Sequence, residues 1–547
     1  MLDRREFLRR VGAVAGAAAL GVAAGPAGAA KRAGRPNVVF IITDDQPVGS
    51  FGFLHRKGRG KRALTPHIDR LAGQGMVLSR CYATSSVCTP SRFTCLTGMY
   101  ASRAASTNFR KQITPEGQTV VQWNTDIGAA DQMLAKALKA AGYVTGAVGK
   151  WHNGGAPGWL AVRRTVKPGD DPADAAVAET LRAGQEALHA MVRSRGFDYA
   201  ASINLGNFGA HELRKLRYHN PEWITTGALD FIEANKARPF YLYMATTLTH
   251  GPPAIKSLRA DPRITHAGLL DEPPDVQPSR ADVLKRVKAA GLPERLAGAT
   301  WLDDSIGAVL EKLDKLGIAD NTLVIYFNDH GVENGKGSCY EGGVRTPCLV
   351  RWPGRIKPGH TDALVANIDF APTILAACGV NPPDGMVLDG LNVLPVLTGR
   401  KKTLRRSVYC EIGYTRAVVT DRWKYVAFRI PPSRRLTQAQ RVAVCERYRA
   451  MKARREDQDF PVDPSAPLSH MGFPGGQATE RHSALKRYRK VYYDADQLFD
   501  LSKDPGEQTN LARDPAHKAR LAEMQALLRK HLAAVPGTFA EFKGEKK

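Results

Sequence analysis

Acidic residues are scarce in this 547-residue chain: 53 Asp and Glu against 78 Lys and Arg, a formal net charge of +25. That imbalance suits an anionic partner, whether nucleic acid or a phosphorylated or sulfated polymer, and does not choose between them. Cysteine is scarce too. Eight cysteines with no CxxC pair exclude a disulfide-scaffolded miniature fold and argue against a zinc ribbon. Beyond the first 30 residues no run is long and apolar enough to cross a bilayer. There is no internal repeat, which argues against a solenoid, and no low-complexity block beyond that leader. What is present, 43% hydrophobic and 24% charged residues, belongs to a folded chain. Its length fits roughly two to four ordinary domains, or one large α/β enzyme domain with an appendage.

Residues 1–30 read as an address. Arg4-Arg5-Glu6-Phe7-Leu8-Arg9 precedes an uncharged Ala/Gly/Val run from Val11 to Ala30 that closes on Ala27-Gly28-Ala29-Ala30. A basic start, a weakly apolar middle and small residues at the end predict a cleavable export signal. The arginine pair resembles a twin-arginine signal, which serves proteins that fold before export through the twin-arginine machinery. The competing reading is a membrane anchor over residues 11–30, disfavoured by its Gly and Ala content. The expected location is periplasmic or extracellular. The leader holds four arginines and two acids, so the remaining chain stays strongly basic.

Four apolar runs end in chemically capable residues. Val38–Ile42 leads to Asp44 and Asp45, and Tyr143–Val148 to Lys150 and His152. Phe240–Met244 leads to His250, and Leu323–Phe327 to Asp329 and His330. Runs that are β-branched and aromatic, without alternation, predict strands buried on both faces. Helical patterns over Asp131–Ala141, Thr225–Lys236 and Trp301–Leu316 lie between them, the first and last followed by glycine. Strands alternating with helices predict a large, mostly parallel sheet sandwiched by helices. In such sheets ligands gather beyond the carboxyl ends of the strands, so these four stretches should deliver their polar residues to one edge.

The chain changes character near residue 400. Ser407–Glu411, Ala417–Thr420 and Trp423–Phe428 predict short antiparallel strands, and Gln508–Leu532 predicts one or two helices. The expected division is a catalytic α/β domain over 31–400 and a smaller α+β domain over 401–547, with a basic insertion at about 431–489. Within it, Arg441, Arg447, Arg449, Arg454 and Arg455 could line a groove for a sulfated polymer. The plainer reading is a solvated helix with Val442, Val444 and Met451 turned inward.

The most informative stretch is Cys88-Thr89-Pro90-Ser91-Arg92, followed by Cys95-Leu96-Thr97-Gly98. It resembles the Cys-x-Pro-x-Arg signature of the type I sulfatases, part of the alkaline-phosphatase-like superfamily. Asp44-Asp45, Gly149-Lys150-Trp151-His152, Thr249-His250-Gly251-Pro252 and Asp329-His330-Gly331 follow the family's order. So do Gly335-Lys336-Gly337, Tyr340-Glu341-Gly342-Gly343 and Leu498-Phe499-Asp500-Leu501, with Asp504-Pro505, Glu507 and Asn510-Leu511. Residues 155–225 and 431–489 carry no such match. The resemblance implies a maturation enzyme that oxidises Cys88 to formylglycine, which also ligates the metal. It implies His152 as a base, with Lys150, Lys336 and His250 binding sulfate oxygens and Lys336 or His250 protonating the leaving group.

The chemistry has its own logic. Hydrolysis of a sulfate monoester needs positive charge on its oxygens and a nucleophile aimed at sulfur. A thiolate could attack, but its adduct has no easy exit. A hydrated aldehyde has two hydroxyls on one carbon: one attacks, the other collapses and expels sulfate. Asp44, Asp45 and Asp329 supply hard oxygens for Ca²⁺ or Mg²⁺. His330 is a soft ligand for such an ion and could instead hydrogen-bond the sulfate or the nucleophile. Arg92, four residues after Cys88, lies one turn on if a helix begins there. Singly, these residues have bland explanations: a helix cap, solvated lysines, a packing cysteine. Their order favours chemistry.

The expected activity is hydrolysis of sulfate esters, with a sulfated carbohydrate as substrate. The alternatives are a phosphonate or phosphate monoester hydrolase using the same site, or a non-catalytic polyanion-binding protein. Nucleic acid is disfavoured for an exported protein without a recognisable binding motif.

Overall fold

Alternate residues of Asn37–Asp44 (β1) enter two different cores, as expected of a strand covered on both faces. Val38, Phe40 and Ile42 join Phe93, Leu138 and Ile374; Val39 and Ile41 join Ile68, Phe231 and Trp301. The computed structural model describes residues 34–542 apart from 55–61, 156, 454–462, 469–486 and 489. The expected export signal lies outside them.

The large sheet also contains Met76–Leu78 (β2), Val144–Lys150 (β3), Tyr199–Asn204 (β4) and Phe240–Thr249 (β5). Thr322–Asn328 (β6), Cys348–Arg351 (β7) and Gly359–Thr361 (β8) complete it, in the order β8-β2-β7-β6-β1-β5-β3-β4. Only β7 runs antiparallel to its neighbours, so the sheet is mixed and mostly parallel. One face carries helices Cys88–Thr97 (α2), Leu134–Ala140 (α3) and Phe370–Ala377 (α7). Ala175–Arg193 (α4) packs into the same core. The other face carries Pro66–Gln74 (α1), Pro221–Asn235 (α5) and Ala297–Lys315 (α6).

Register explains the shared edge. Thr43 lies opposite Asn328, and Asp44 opposite Thr249, so β1, β5 and β6 end level with one another. Helix α1 shows how elements are fixed across the chain. Its Thr65 makes no side-chain cap, and Asp303 of α6 instead accepts the backbone N–H groups of His67 at 3.1 Å and Ile68 at 2.7 Å.

A second, antiparallel sheet comprises Val408–Ile412 (β9), Thr415–Val419 (β10), Trp423–Phe428 (β11) and Asp496–Asp500 (β12), paired in that order. It docks beside the start of α2: the Glu411 N–H donates to Thr84 O at 2.8 Å, and the Ser85 hydroxyl donates to Glu411 O at 2.9 Å. Among the described residues no helix is long and apolar enough to cross a membrane.

Three local expectations shift. Helix α3 begins at Leu134, because the Asp131 carboxylate closes a turn on the Gly128 N–H at 2.7 Å. The chain from Gln508 stays irregular until a 3₁₀ turn at Pro515–His517, followed by Lys518–Ala533 (α9). In Gln438–Ala453 (α8), Cys445 and Tyr448 turn inward, while Val442 is exposed and Val444 half-buried.

Candidate active site

The carboxyl edge of the large sheet presents Asp44, Lys150 and Asp329, each at or just beyond a strand end, with Asp45, His250 and His330 adjoining. The backbone turns sharply to do this. Asp45 has φ +52° and His152 φ +60°, left-handed values that residues with a Cβ seldom adopt. Gly149, at φ +88°, lets the end of β3 pass against β5: a Cβ there would lie 1.8 Å from the Ala245 carbonyl oxygen. Cys88 is the first residue of α2, so the expected helix does begin there, and every residue of α2 is buried.

These side chains converge. Cys88 Sγ lies 3.5 Å from both Asp44 Oδ1 and His330 Nε2. Arg92 reaches Asp329 Oδ2 at 3.2 Å and Asp44 Oδ1 at 3.6 Å, and donates to the Lys150 carbonyl at 3.4 Å. Lys150 Nζ contacts Asp44 Oδ2 at 2.5 Å, and Lys336 Nζ contacts Asp45 Oδ2 at 2.5 Å. His250 Nε2 is 3.4 Å from Asp45 Oδ2, and His330 Nε2 is 3.3 Å from Asp45 Oδ1. The Asp45 N–H donates to Asp329 Oδ1 at 3.3 Å. Three carboxylates are thus faced by one arginine and two lysines in one buried cluster. Exposure is graded: Arg92, Asp329 and His330 are fully buried, while His250 retains 19% and Asp45 15%. The cluster therefore meets solvent on the His250–Asp45 side.

Charge sets protonation. Burial raises the Asp44 carboxyl, but Lys150, His250 and Arg92 overcome it and hold the group well below the carboxylate range. Burial also raises Asp45, yet Lys336, His250 and His330 bring it down to about 2. Asp329 stays raised, because burial and the neighbouring Asp44 outweigh His330 and Arg92. Burial, with Lys150 beside it, holds His152 well below its usual range, and its Nδ1 is buried without a hydrogen-bond partner. Its imidazole is neutral. Burial likewise pushes the Cys88 thiol far up, so the unmodified thiol is a poor nucleophile.

Two overlapping sets of ligand atoms lie within 4.8 Å of one another: Asp44, Asp45, Cys88 and His250, and Cys88, Asp329 and His330. Asp45 Oδ1 is buried and accepts no hydrogen bond. Three carboxylates with an orphaned oxygen fit a hard divalent cation. His250, expected from the sequence as a sulfate-binding residue, also falls within the first of these ligand sets.

Two contacts escaped the sequence. Asn207, just past β4, accepts from Lys150 Nζ at 2.6 Å, so the strand-end rule applied to Tyr199–Asn204 would have found it. His219 approaches the carbonyls of His250 at 2.9 Å and Pro252 at 3.0 Å and steadies that segment; no sequence signal marks it. The arginine-rich stretch lies apart. Arg429, Arg434, Arg435 and Arg441 line a cavity of about 690 Å³ with Phe428 and Tyr493, and none of the clustered residues borders it. Arg447 and Arg449 are exposed, and Arg454 and Arg455 fall outside the described residues.

A doubly covered, mostly parallel sheet whose strand ends carry a carboxylate cluster, with a helix opening on Cys88, defines an alkaline-phosphatase-like hydrolase. The sulfatase sequence profile matches residues 36–380, and that of the N-sulphoglucosamine sulphohydrolase C-terminal region matches residues 329–432. The chain belongs to the sulfatase family and is a sulfuric ester hydrolase. It is 26% identical to an N-acetylgalactosamine-6-O-sulfatase of Bacteroides thetaiotaomicron over 90% of this chain and 92% of that one. It is 29% identical to human N-acetylgalactosamine-6-sulfatase, covering 66% of each chain. A solved 6S-sulfatase structure from work on glycosaminoglycan metabolism in B. thetaiotaomicron superposes with a TM-score of 0.59. That likeness is at 24% identity and spans 91% of this chain and 99% of that one.

Proposed function

We propose that this enzyme removes sulfate from a sulfated carbohydrate, using formylglycine made from Cys88 and a divalent cation, Ca²⁺ or Mg²⁺, held by Asp44, Asp45, Asp329 and His330. The convergence of these residues with Arg92, Lys150, Lys336 and His250 on one buried cluster carries the reading. The carbohydrate preference is supported by the N-acetylgalactosamine sulfatases among its relatives and by the net charge of +25.

A cation bound here would polarise a sulfate oxygen and acidify the attacking hydroxyl. Oxidised and hydrated Cys88 would supply one hydroxyl for attack on sulfur and a second for release. The chain's own residues do the rest. Arg92 bridges the Asp44 and Asp329 carboxylates and fixes them relative to the first turn of α2. Lys150, held between Asp44 and Asn207, and Lys336, held on Asp45, present ammonium groups to sulfate oxygens. Neutral His152 accepts the proton of the releasing hydroxyl. Lys336 and His250 both contact Asp45, His250 on the solvent side where a leaving alcohol departs, and either can protonate it. Maturation by a formylglycine-generating enzyme and export through the twin-arginine machinery complete the proposal.

The test measures sulfate released from sulfated mono-, oligo- and polysaccharides, with an aryl sulfate and an aryl phosphonate for comparison. Sulfate ester cleavage should dominate, and Cys88→Ala should abolish it while leaving the fold intact. Faster phosphonate turnover, or an unmodified thiol at Cys88 in active protein by peptide mass, would overturn the reading.

A further inference from the structure

Tyr340–Gly343 and Leu498–Leu511 share the family's pattern, yet none of their side chains enters the charged cluster. They meet at a second buried ionic group. Lys424 of β11 is fully buried, with Nζ 3.2 Å from Glu341 Oε1 and 3.0 Å from Glu507 Oε1. Glu507 Oε2 accepts the Glu341 N–H at 2.7 Å, and the Tyr82 hydroxyl donates to Glu341 Oε2 at 3.2 Å. Next to it, the Tyr340 hydroxyl donates to Gln497 Oε1 at 2.8 Å, and the Tyr340 ring stacks on Tyr488 at 3.8 Å.

From Glu341 the order passes inward through backbone alone. The Gly331 N–H donates to Gly343 O at 2.9 Å, and the Glu333 N–H donates to Gly342 O at 2.9 Å. The Gly337 N–H donates to Ser86 O at 3.0 Å, two residues before Cys88. The two arms touch so closely that a Cβ at Gly343 would lie 2.1 Å from Gly335 O. Lys336, with its ammonium on Asp45, is carried between them. One ammonium shared by two buried carboxylates, with the Arg345 guanidinium at the edge 3.7 Å from Glu341 Oε2, adds little net stability over apolar packing of the same shape, so its use lies in geometry.

We propose that Lys424, Glu341 and Glu507 are positioning residues for Lys336. The four-stranded sheet clamps the loop that aims the Lys336 ammonium at the reacting ester, which makes that sheet part of the catalytic apparatus. This rests on the role given to Lys336 above.

The test compares kcat and KM for two sulfate esters, 4-nitrophenyl sulfate with a good leaving group and an N-acetylgalactosamine 6-sulfate with a poor one. Lys336→Met sets the reference: it should slow the sugar ester far more than the aryl ester. The triple variant Glu341→Gln/Lys424→Met/Glu507→Gln removes the buried charges together and parts only the solvent-reaching Arg345 guanidinium, 3.7 Å from Glu341 Oε2, from its partner. It should show the same selective fall in kcat, on the order of 100-fold for the sugar ester, as expected for a misplacement near 1 Å. Glu507→Gln alone is read the same way and decides the matter if the triple variant does not fold. A folded variant with wild-type kcat, or one whose losses on the two esters do not follow those of Lys336→Met, overturns the clamp. If Lys336→Met itself keeps full activity, the assignment of Lys336 fails, and the clamp with it.

Discussion

Replacing Gly149 with alanine tests how closely the site depends on one backbone crossing. The new Cβ would lie 1.8 Å from the Ala245 carbonyl oxygen, whereas real Cβ atoms essentially never come within 3.0 Å of a neighbour. β3 and β5 must therefore part by about 1.2 Å where they are packed against each other, an overpacking that costs about 1–3 kcal/mol. The φ of +88° adds about 1–2 kcal/mol for a residue with a Cβ. Lys150 and His152 follow immediately and move with the shift. Since a displacement near 1 Å can cost about 100-fold in rate, kcat/KM for an aryl sulfate should fall by about that factor. Gly142→Ala is the control: its φ is +87° but nothing lies within 4 Å of the added methyl. That variant should lose a little thermal stability and keep its rate. If Gly149→Ala turns over within threefold of wild type, the close packing of β3 on β5 does not set the position of Lys150.

Arg92→Ala takes the guanidinium from buried Asp329 and leaves Asp44 paired to Lys150 alone, and should lower the unfolding free energy by about 3–5 kcal/mol in urea titration. A change below 1 kcal/mol would show that the carboxylates are compensated some other way. Exhaustive chelation should remove activity, and Ca²⁺ or Mg²⁺ should restore it; turnover indifferent to metal content contradicts the proposed cation. Burial pushes the Asp303 carboxyl up from 3.8 to about 7, and nearby Asp304 adds to it. A raised carboxyl favours the folded state while protonated, so its contribution is complete below about pH 4 and is lost as pH rises to 7. Asp303→Asn should flatten that part of the stability–pH curve measured by thermal unfolding; an unchanged slope would refute the attribution.

The strand ends were readable because a strand buried on both faces writes itself as an unbroken apolar run, and the polar residue ending it needs a reason to be there. Asp44, Lys150, His250 and Asp329 are legible on that ground, with Cys88 and Arg92 from their pentapeptide. Asn207 was reachable only by extending the same rule past Tyr199–Asn204, and His219 was not, because the carbonyls it steadies lie 31 and 33 residues away with no pattern around it. Asp303 capping α1 from α6 is hidden for the same reason: a local scan sees Thr65, which makes no cap. In α8 hydrophobicity alone predicts an inward stripe through Val442; Tyr448 and Cys445 face in because the helix phase follows the surface beneath it. For Lys424, Glu341 and Glu507, nothing in the sequence joins the three, and folding makes them one object.

The burial of α2 has a consequence in time. Cys88, Pro90 and Arg92 are all sealed in the folded chain, with the small sheet fastened to Thr84 and Ser85 just ahead of them. An enzyme that must grip this pentapeptide finds nothing to hold once the protein has closed. On the proposed chemistry, oxidation is then an event of the nascent chain, and on the proposed twin-arginine export it would finish in the cytoplasm. Mature protein lacking the modification would be beyond repair without unfolding.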